Sequence, residues 1–130
     1  MNVNLSGNYV VTNRSIKVKT CDDICKYYQW LFNRHHFNTI KSNRPRHGAH
    51  VGVVSSKIHD VDCTKFLHLN DTPVDFSVDI SGNYGGFSRG FLNFWLDAYS
   101  VDFINIRKQL NIHKIEPGFS PFHLTILNTK

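Results

Sequence analysis

Polar and apolar positions alternate with a period of two over several stretches, the pattern of strands with one buried face. In 8–19, Tyr9-Val10-Val11-Thr12 leads to Asn13-Arg14, and Ser15-Ile16-Lys17-Val18-Lys19 alternates after it, predicting a hairpin with its turn at Asn13-Arg14. Thr20 is placed to cap a helix that carries Asp22 and Asp23 in its first turn, against the positive end of the dipole. Ile24, Tyr27, Tyr28 and Leu31 then recur at i, i+3, i+4 and i+7, one apolar face that fades near Asn33. Ala49-His50-Val51-Gly52-Val53-Val54 predicts a third strand, and 57–72 shows no readable element. Val74, Phe76, Val78 and Ile80 alternate with Asp75, Ser77 and Asp79, and 82–90 is rich enough in glycine to predict a loop. Leu92, Phe94, Leu96 and Ala98 alternate with Phe91, Asn93, Trp95 and Asp97, predicting an antiparallel partner for the preceding strand. A shorter helix is expected over 101–112 on Phe103, Ile106 and Leu110. Pro117 and Gly118 end the connection to a last strand, Pro121-Phe122-His123-Leu124-Thr125-Ile126. The order strand, strand, helix, strand, strand, strand, helix, strand gives an α+β fold with antiparallel strands and two principal helices.

Composition narrows the class without altering that picture. At 130 residues, with 41% hydrophobic and 19% charged positions, the chain is expected to form one domain over 1–130 with a sizeable core. Met1-Asn2-Val3-Asn4-Leu5 has neither a charged lead nor an apolar run, so a secretory leader and a membrane span are not expected, and a cytoplasmic setting fits. Cys21, Cys25 and Cys63 are odd in number and lack Cys-x-x-Cys spacing, which argues for reduced thiols. The net charge of +5 favours an anionic partner.

Eight histidines raise the question of a metal. The spacing speaks against one: there is no His-Glu-x-x-His, His47 and His50 fall on opposite sides of a strand, and Cys21 and Cys25 have no matched pair nearby. His35, His36, His59, His68 and His113 are read as surface or packing residues. No Gly-x-Ser-x-Gly elbow or comparable cysteine context supports a nucleophilic hydrolase, and no Gly-Lys-Ser/Thr follows the glycine-rich segment. His50 and His123 differ from the rest because each lies on a predicted strand. On the last strand His123 shares its face with Thr125, opposite Phe122, Leu124 and Ile126. Each histidine taken alone reads as a hydrogen-bonded strand residue. Two such strands side by side, near the basic loop 41–47, suit phosphodiester cleavage, one imidazole accepting a proton and the other supplying one.

His123-Leu124-Thr125-Ile126 resembles the second signature of the 2H phosphoesterase superfamily, His-x-Thr/Ser-x with apolar flanks, and His50-Val51-Gly52-Val53 sits where the first signature belongs. The succession Tyr27-Tyr28-Gln29-Trp30, Pro45-Arg46-His47-Gly48-Ala49-His50, Ile106-Arg107-Lys108-Gln109-Leu110 and the last strand is similar to the small phage anti-CBASS nucleases, which destroy cyclic oligonucleotide messengers of bacterial immunity. The resemblance spans about 27–126, with 61–90 contributing little. It implies a compact LigT-like fold, metal-independent cleavage with no cofactor, His50 and His123 as acid and base, and Thr125 binding a non-bridging phosphate oxygen. It further implies a cyclic oligonucleotide substrate, attack by a ribose 2′-hydroxyl on its own 3′-phosphate and, for a viral protein, the cytoplasm of the infected cell; no membrane partner is expected from the short apolar runs, and no double-stranded nucleic acid partner is expected. The oligomeric state stays open, as does the alternative of a linear RNA end bearing a 2′,3′-cyclic phosphate. Tyr9 and Trp95 are the candidates for stacking bases, with ordinary packing as the alternative, and Arg46 is the candidate for neutralising phosphate.

The chain departs from the pattern at Gly52, where the first signature carries Thr or Ser. A hydrogen bond to a charged group contributes roughly 1.5–3 kcal/mol, about ten- to a hundredfold in rate. A water, the Gly52 amide or a basic side chain has to substitute, or activity falls; a nucleotide-binding sponge that does not cut is the non-enzymatic alternative. Ser55 lies an odd number of positions further on, so alternation turns it away and only a bulge would bring it back.

Overall fold

The computed structural model describes residues 2–37, 39–81, 83–85, 92–112 and 122–129. The elements follow the expected order with one strand, β5, added: β1 (Asn2–Val11), β2 (Ile16–Thr20), α1 (Asp23–His35), β3 (His50–Val54), β4 (Pro73–Asp79), β5 (Asn83–Gly85), β6 (Asn93–Tyr99), α2 (Val101–Gln109) and β7 (Phe122–Asn128). A 3₁₀ helix, Thr64–Leu69, occupies part of the segment whose sequence showed no pattern. The strands form an antiparallel sheet in the order β4-β1-β2-β3-β7-β6-β5, and β4 also pairs with β6, so six strands close into a barrel.

Closure follows from one apolar side on every long strand. Tyr9, Val18, Val51, Leu124 and Leu96 form a continuous buried row across five strands, because Tyr9 pairs with Val18, Val18 with Val51, Val51 with Leu124 and Leu124 with Leu96. Phe76 and Val78 of β4 bury the same side. Phe103 of α2 packs into this core against the rings of Tyr9, Phe76 and Phe122, with centroids 6.4, 6.0 and 5.3 Å away. Ser100 caps α2 by accepting from the Asp102 amide, and Asn111 at φ 58° ends it short of the expected 112.

Two bulges adjust the alternation. On β3, Gly52 pairs with Lys17 but Val54 pairs with Ile16, so Val53 is the extra residue and Val53 and Val54 are both buried. On β7, Thr125 pairs with Trp95 but Leu127 pairs with Phe94, and Ile126 and Leu127 are both buried. The carbonyl of Val53 accepts from Arg107 Nε at 2.8 Å, and the Arg107 guanidinium lies 4.5 Å from the Phe122 ring centroid.

Helix α1 keeps the expected period but turns a different side inward. Cys25 and Phe32 are its buried residues, joined by partly buried Ile24 and Tyr28, while Tyr27 is 57% and Leu31 36% exposed. The rotation is anchored by specific contacts: the Cys25 thiol donates to the Thr125 carbonyl at 3.6 Å, and the Tyr28 hydroxyl donates to the Ile80 carbonyl at 2.9 Å. Thr20 does not cap the helix, because it ends β2 and its hydroxyl donates to the Ser6 carbonyl. Asp22 holds the cap position, and its carboxylate accepts instead from the Ala49 amide at 2.7 Å.

Within 82–90, Asn83–Gly85 is strand rather than loop, paired with β6; the rest of that segment, together with His113, Pro117, Gly118 and Pro121, lies outside the described residues. No helix among the described residues is long and apolar enough to cross a membrane.

His59 shows how the loop after β3 is held. Its Nδ1 accepts from the Ser55 amide at 2.9 Å, which requires the neutral ring. Burial first, and then the Arg107 charge, push its pKa below the ordinary value of 6.5. The unfolded chain therefore binds more protons through this range, and the stability this site contributes is present above 6.5 and lost as pH falls through the lowered value. Thermal unfolding across that window is expected to show a fall on acidification that is shallower in His59→Ala; an unchanged profile in the variant would remove His59 as the cause.

Candidate active site

The pairing of Val51 with Leu124 brings the two histidine strands side by side and fixes what faces what. One step outward in either direction sets His50 opposite Thr125 and Gly52 opposite His123, all four on the side away from the buried row. The ladders on either flank extend these into two cross-strand rows. The first runs Lys19, His50, Thr125, Trp95; the second runs Lys17, Gly52, His123, Asp97. His50 and His123 are thus diagonal neighbours, roughly 7–8 Å apart in such a ladder, a separation a phosphate can bridge.

Each imidazole has a defined setting. His50 Nδ1 lies 2.8 Å from the Gly48 carbonyl oxygen, so Nδ1 carries the proton it donates there and Nε2 is the nitrogen left for chemistry. Gly48 itself sits at φ +79°, where an added Cβ would lie 3.1 Å from the Asp22 carboxylate. The bond from the Ala49 amide to Asp22 holds the same turn from its other side, tying the position of His50 to the start of α1.

His123 is 41% exposed at its side chain, with the edge of Trp95 at 5.6 Å between centroids. Its Nε2 is 4.0 Å from an Asp97 carboxylate oxygen, which also accepts from Trp95 Nε1 at 3.3 Å. Burial lowers the His123 pKa below the ordinary imidazole value and outweighs the opposing pull of Asp97; Arg107 adds to the lowering. His123 is therefore mainly neutral at pH 7, the state a proton acceptor needs.

Of the candidates named from the sequence, His50, His123, Thr125 and Trp95 come together in these rows. Tyr9 does not. It is 4% exposed, on the core side with Val18, and burial together with the charge of Asp102 pushes its hydroxyl up to about 12. The positions of β1 that share the histidine side are Asn8 and Val10, which pair with Lys19 and Lys17. Arg46 is exposed and lines a separate cleft of about 530 Å³ between α1 and the loop before β3, with Arg44, Gln29 and Asn43; the cleft meets the site at Gly48.

Asp97, Lys17 and Lys19 were not singled out from sequence. The alternation of 91–99 already paired Asp97 with Trp95 on one face, but only the ladder shows that this face is the histidine face. Among the described residues, no group of three or more His, Cys, Asp or Glu side chains is close enough to hold a metal ion, and all three cysteines are free thiols. No family model, curated protein or solved structure matches the chain.

Proposed function

We propose that the protein is a LigT-like 2H phosphodiesterase that opens cyclic oligonucleotides without a metal, an activity suited to viral evasion of bacterial immunity. The observation that carries the reading is the juxtaposition of His50 and His123 on adjacent antiparallel strands, with Thr125 opposite His50 and both rings on one polar face. Neutral His123 removes the proton from a ribose 2′-hydroxyl. The resulting oxygen attacks the adjacent phosphorus, and the bond from phosphorus to the 5′-oxygen breaks. His50, protonated, gives its Nε2 proton to that leaving oxygen, and a 2′,3′-cyclic phosphate remains. Water then opens the cyclic ester with the two roles exchanged. The Thr125 hydroxyl donates to a non-bridging oxygen, and Trp95 offers a partly exposed ring for a base to stack upon.

Incubation with a panel of cyclic di- and trinucleotides in excess EDTA is the direct test, with products followed by chromatography. Ring opening that survives chelation is expected for at least one member. If turnover disappears on chelation and returns with a divalent cation, the metal-free mechanism fails. A second reading keeps the pocket and drops the cleavage: Gly52 removes one phosphate contact, and a sponge would return every ligand intact after tight binding. Turnover confined to linear RNA ends with 2′,3′-cyclic phosphates would keep the site and change the substrate.

A further inference from the structure

Gly52 leaves an opening in the histidine face, since a Cβ added there meets nothing within 4 Å. Its neighbours across the ladder are His123 of β7 on one side and Lys17 of β2 on the other. We propose that Lys17 reaches over this opening and binds the non-bridging phosphate oxygen beside His123, in the place where a hydroxyl of the first signature would act. The proposal rests on the phosphodiesterase reading and names the group that completes its phosphate site.

Three features converge on Lys17. First, it lies in the His123 row, with only a glycine between them, so no intervening side chain blocks its path. Two strand spacings separate the Lys17 and His123 backbones, on the order of 10 Å, and the phosphate would lie between them. A flexible four-carbon stem ending in an ammonium suits that reach, and it acts as a point charge towards phosphate. Second, Lys17 is half-buried, whereas Lys19, its counterpart in the His50 row, is exposed. Third, the competing donor is poorly placed. The β3 bulge does return Ser55 to the histidine side by count, but three residues beyond Gly52, on the order of 10 Å along the strand, and its amide is held by His59. Thr125 serves the other end of the phosphate, opposite His50, so Lys17 and Thr125 would grip it from the two rows.

The substitution that isolates the charge is Lys17→Met, which keeps most of the stem. On whichever cyclic oligonucleotide the wild type opens, it is expected to lower kcat about ten- to a hundredfold, with Lys19→Met losing less. Adding Gly52→Thr to Lys17→Met is expected to recover most of that loss, because a threonine fits the opening and returns a hydroxyl donor; a merely structural lysine would not be rescued there. Lys17→Met turnover within about twofold of wild type overturns the assignment. Should the wild type open none of the substrates, the phosphodiesterase reading fails separately, and inorganic phosphate becomes the probe. Phosphate is then expected to shift the NMR resonances of the Gly52 amide and the His123 ring in the wild type and not in Lys17→Met. Equal saturation in both proteins, or no shift in the wild type, overturns the role of Lys17.

Discussion

His123→Ala and His50→Ala are each expected to lower turnover of the cyclic substrate by about 10²–10⁴-fold, the usual worth of a positioned proton transfer. The two losses should not multiply in the double variant, because in the proposed mechanism base and acid serve the same displacement and removing either already disables it. The pH profile separates their roles. If His123 is the initial base, kcat/KM falls as pH drops through its lowered pKa, below the ordinary value of 6.5, and NMR titration of the His123 ring should reproduce that limb. Asp97→Asn removes a charge that raises this pKa and should move the limb further towards acid. A limb unchanged in Asp97→Asn, or one that tracks His50, would reverse the assignment of acid and base. Alanine variants that fold as the wild type does and retain full turnover would remove the histidines from the mechanism altogether.

The largest effect on stability is expected at Phe103. It has no exposed surface and touches the rings of Tyr9, Phe76 and Phe122, which come from three different strands of the barrel. Truncation to alanine removes the apolar transfer energy and leaves a cavity that three strands fixed by their ladders cannot collapse to fill, so the cost should lie near about 3–5 kcal/mol. Urea unfolding followed by tryptophan fluorescence measures it from the shift in midpoint at constant slope. Phe103→Leu should restore part of the loss. A cost below about 1 kcal/mol would mean that the barrel repacks freely around α2, contrary to the close-packed core assigned to it.

Much of this arrangement was legible in the sequence because strands with one buried side announce their period. The alternation of Val74, Phe76 and Val78, of Phe94, Leu96 and Ala98, and of Phe122 and Leu124 gave both the strands and their inward faces. It also put His123 and Thr125 on one side, and the structure keeps them there. What alternation does not carry is phase against a neighbour. Tyr9, a candidate for base stacking, faces the core because the hairpin turn at Asn13-Arg14 pairs it with buried Val18; the alternation of Ile16 and Val18 together with that turn carries the signal, and which face of the hairpin the barrel closes over decides the outcome. Helix α1 shows the same limit: four apolar residues at helical spacing were readable, but Cys25 and Phe32 won the core because of the Thr125 carbonyl and the strands beneath them. The β3 bulge was equally hidden, since Val53 and Val54 read as consecutive strand residues until Ile16 and Lys17 are set beside them. Asp97, which pairs with His123, and Lys17, which pairs with Gly52, lie on strands that only the assembled sheet brings alongside the histidines.

Arg107 gives the site a support from behind. Its Nε holds the carbonyl of Val53, one residue past Gly52, while its guanidinium plane rests on Phe122, one residue before His123. A single side chain from α2 therefore braces both histidine strands from the side opposite the two imidazoles. The separation of the two histidine strands is held by this brace as well as by the ladder between Val51 and Leu124, so the spacing of the two imidazoles is built into the folded core. For the proposed proton transfers, which are steep in distance, such a frame holds the two rings at a fixed separation.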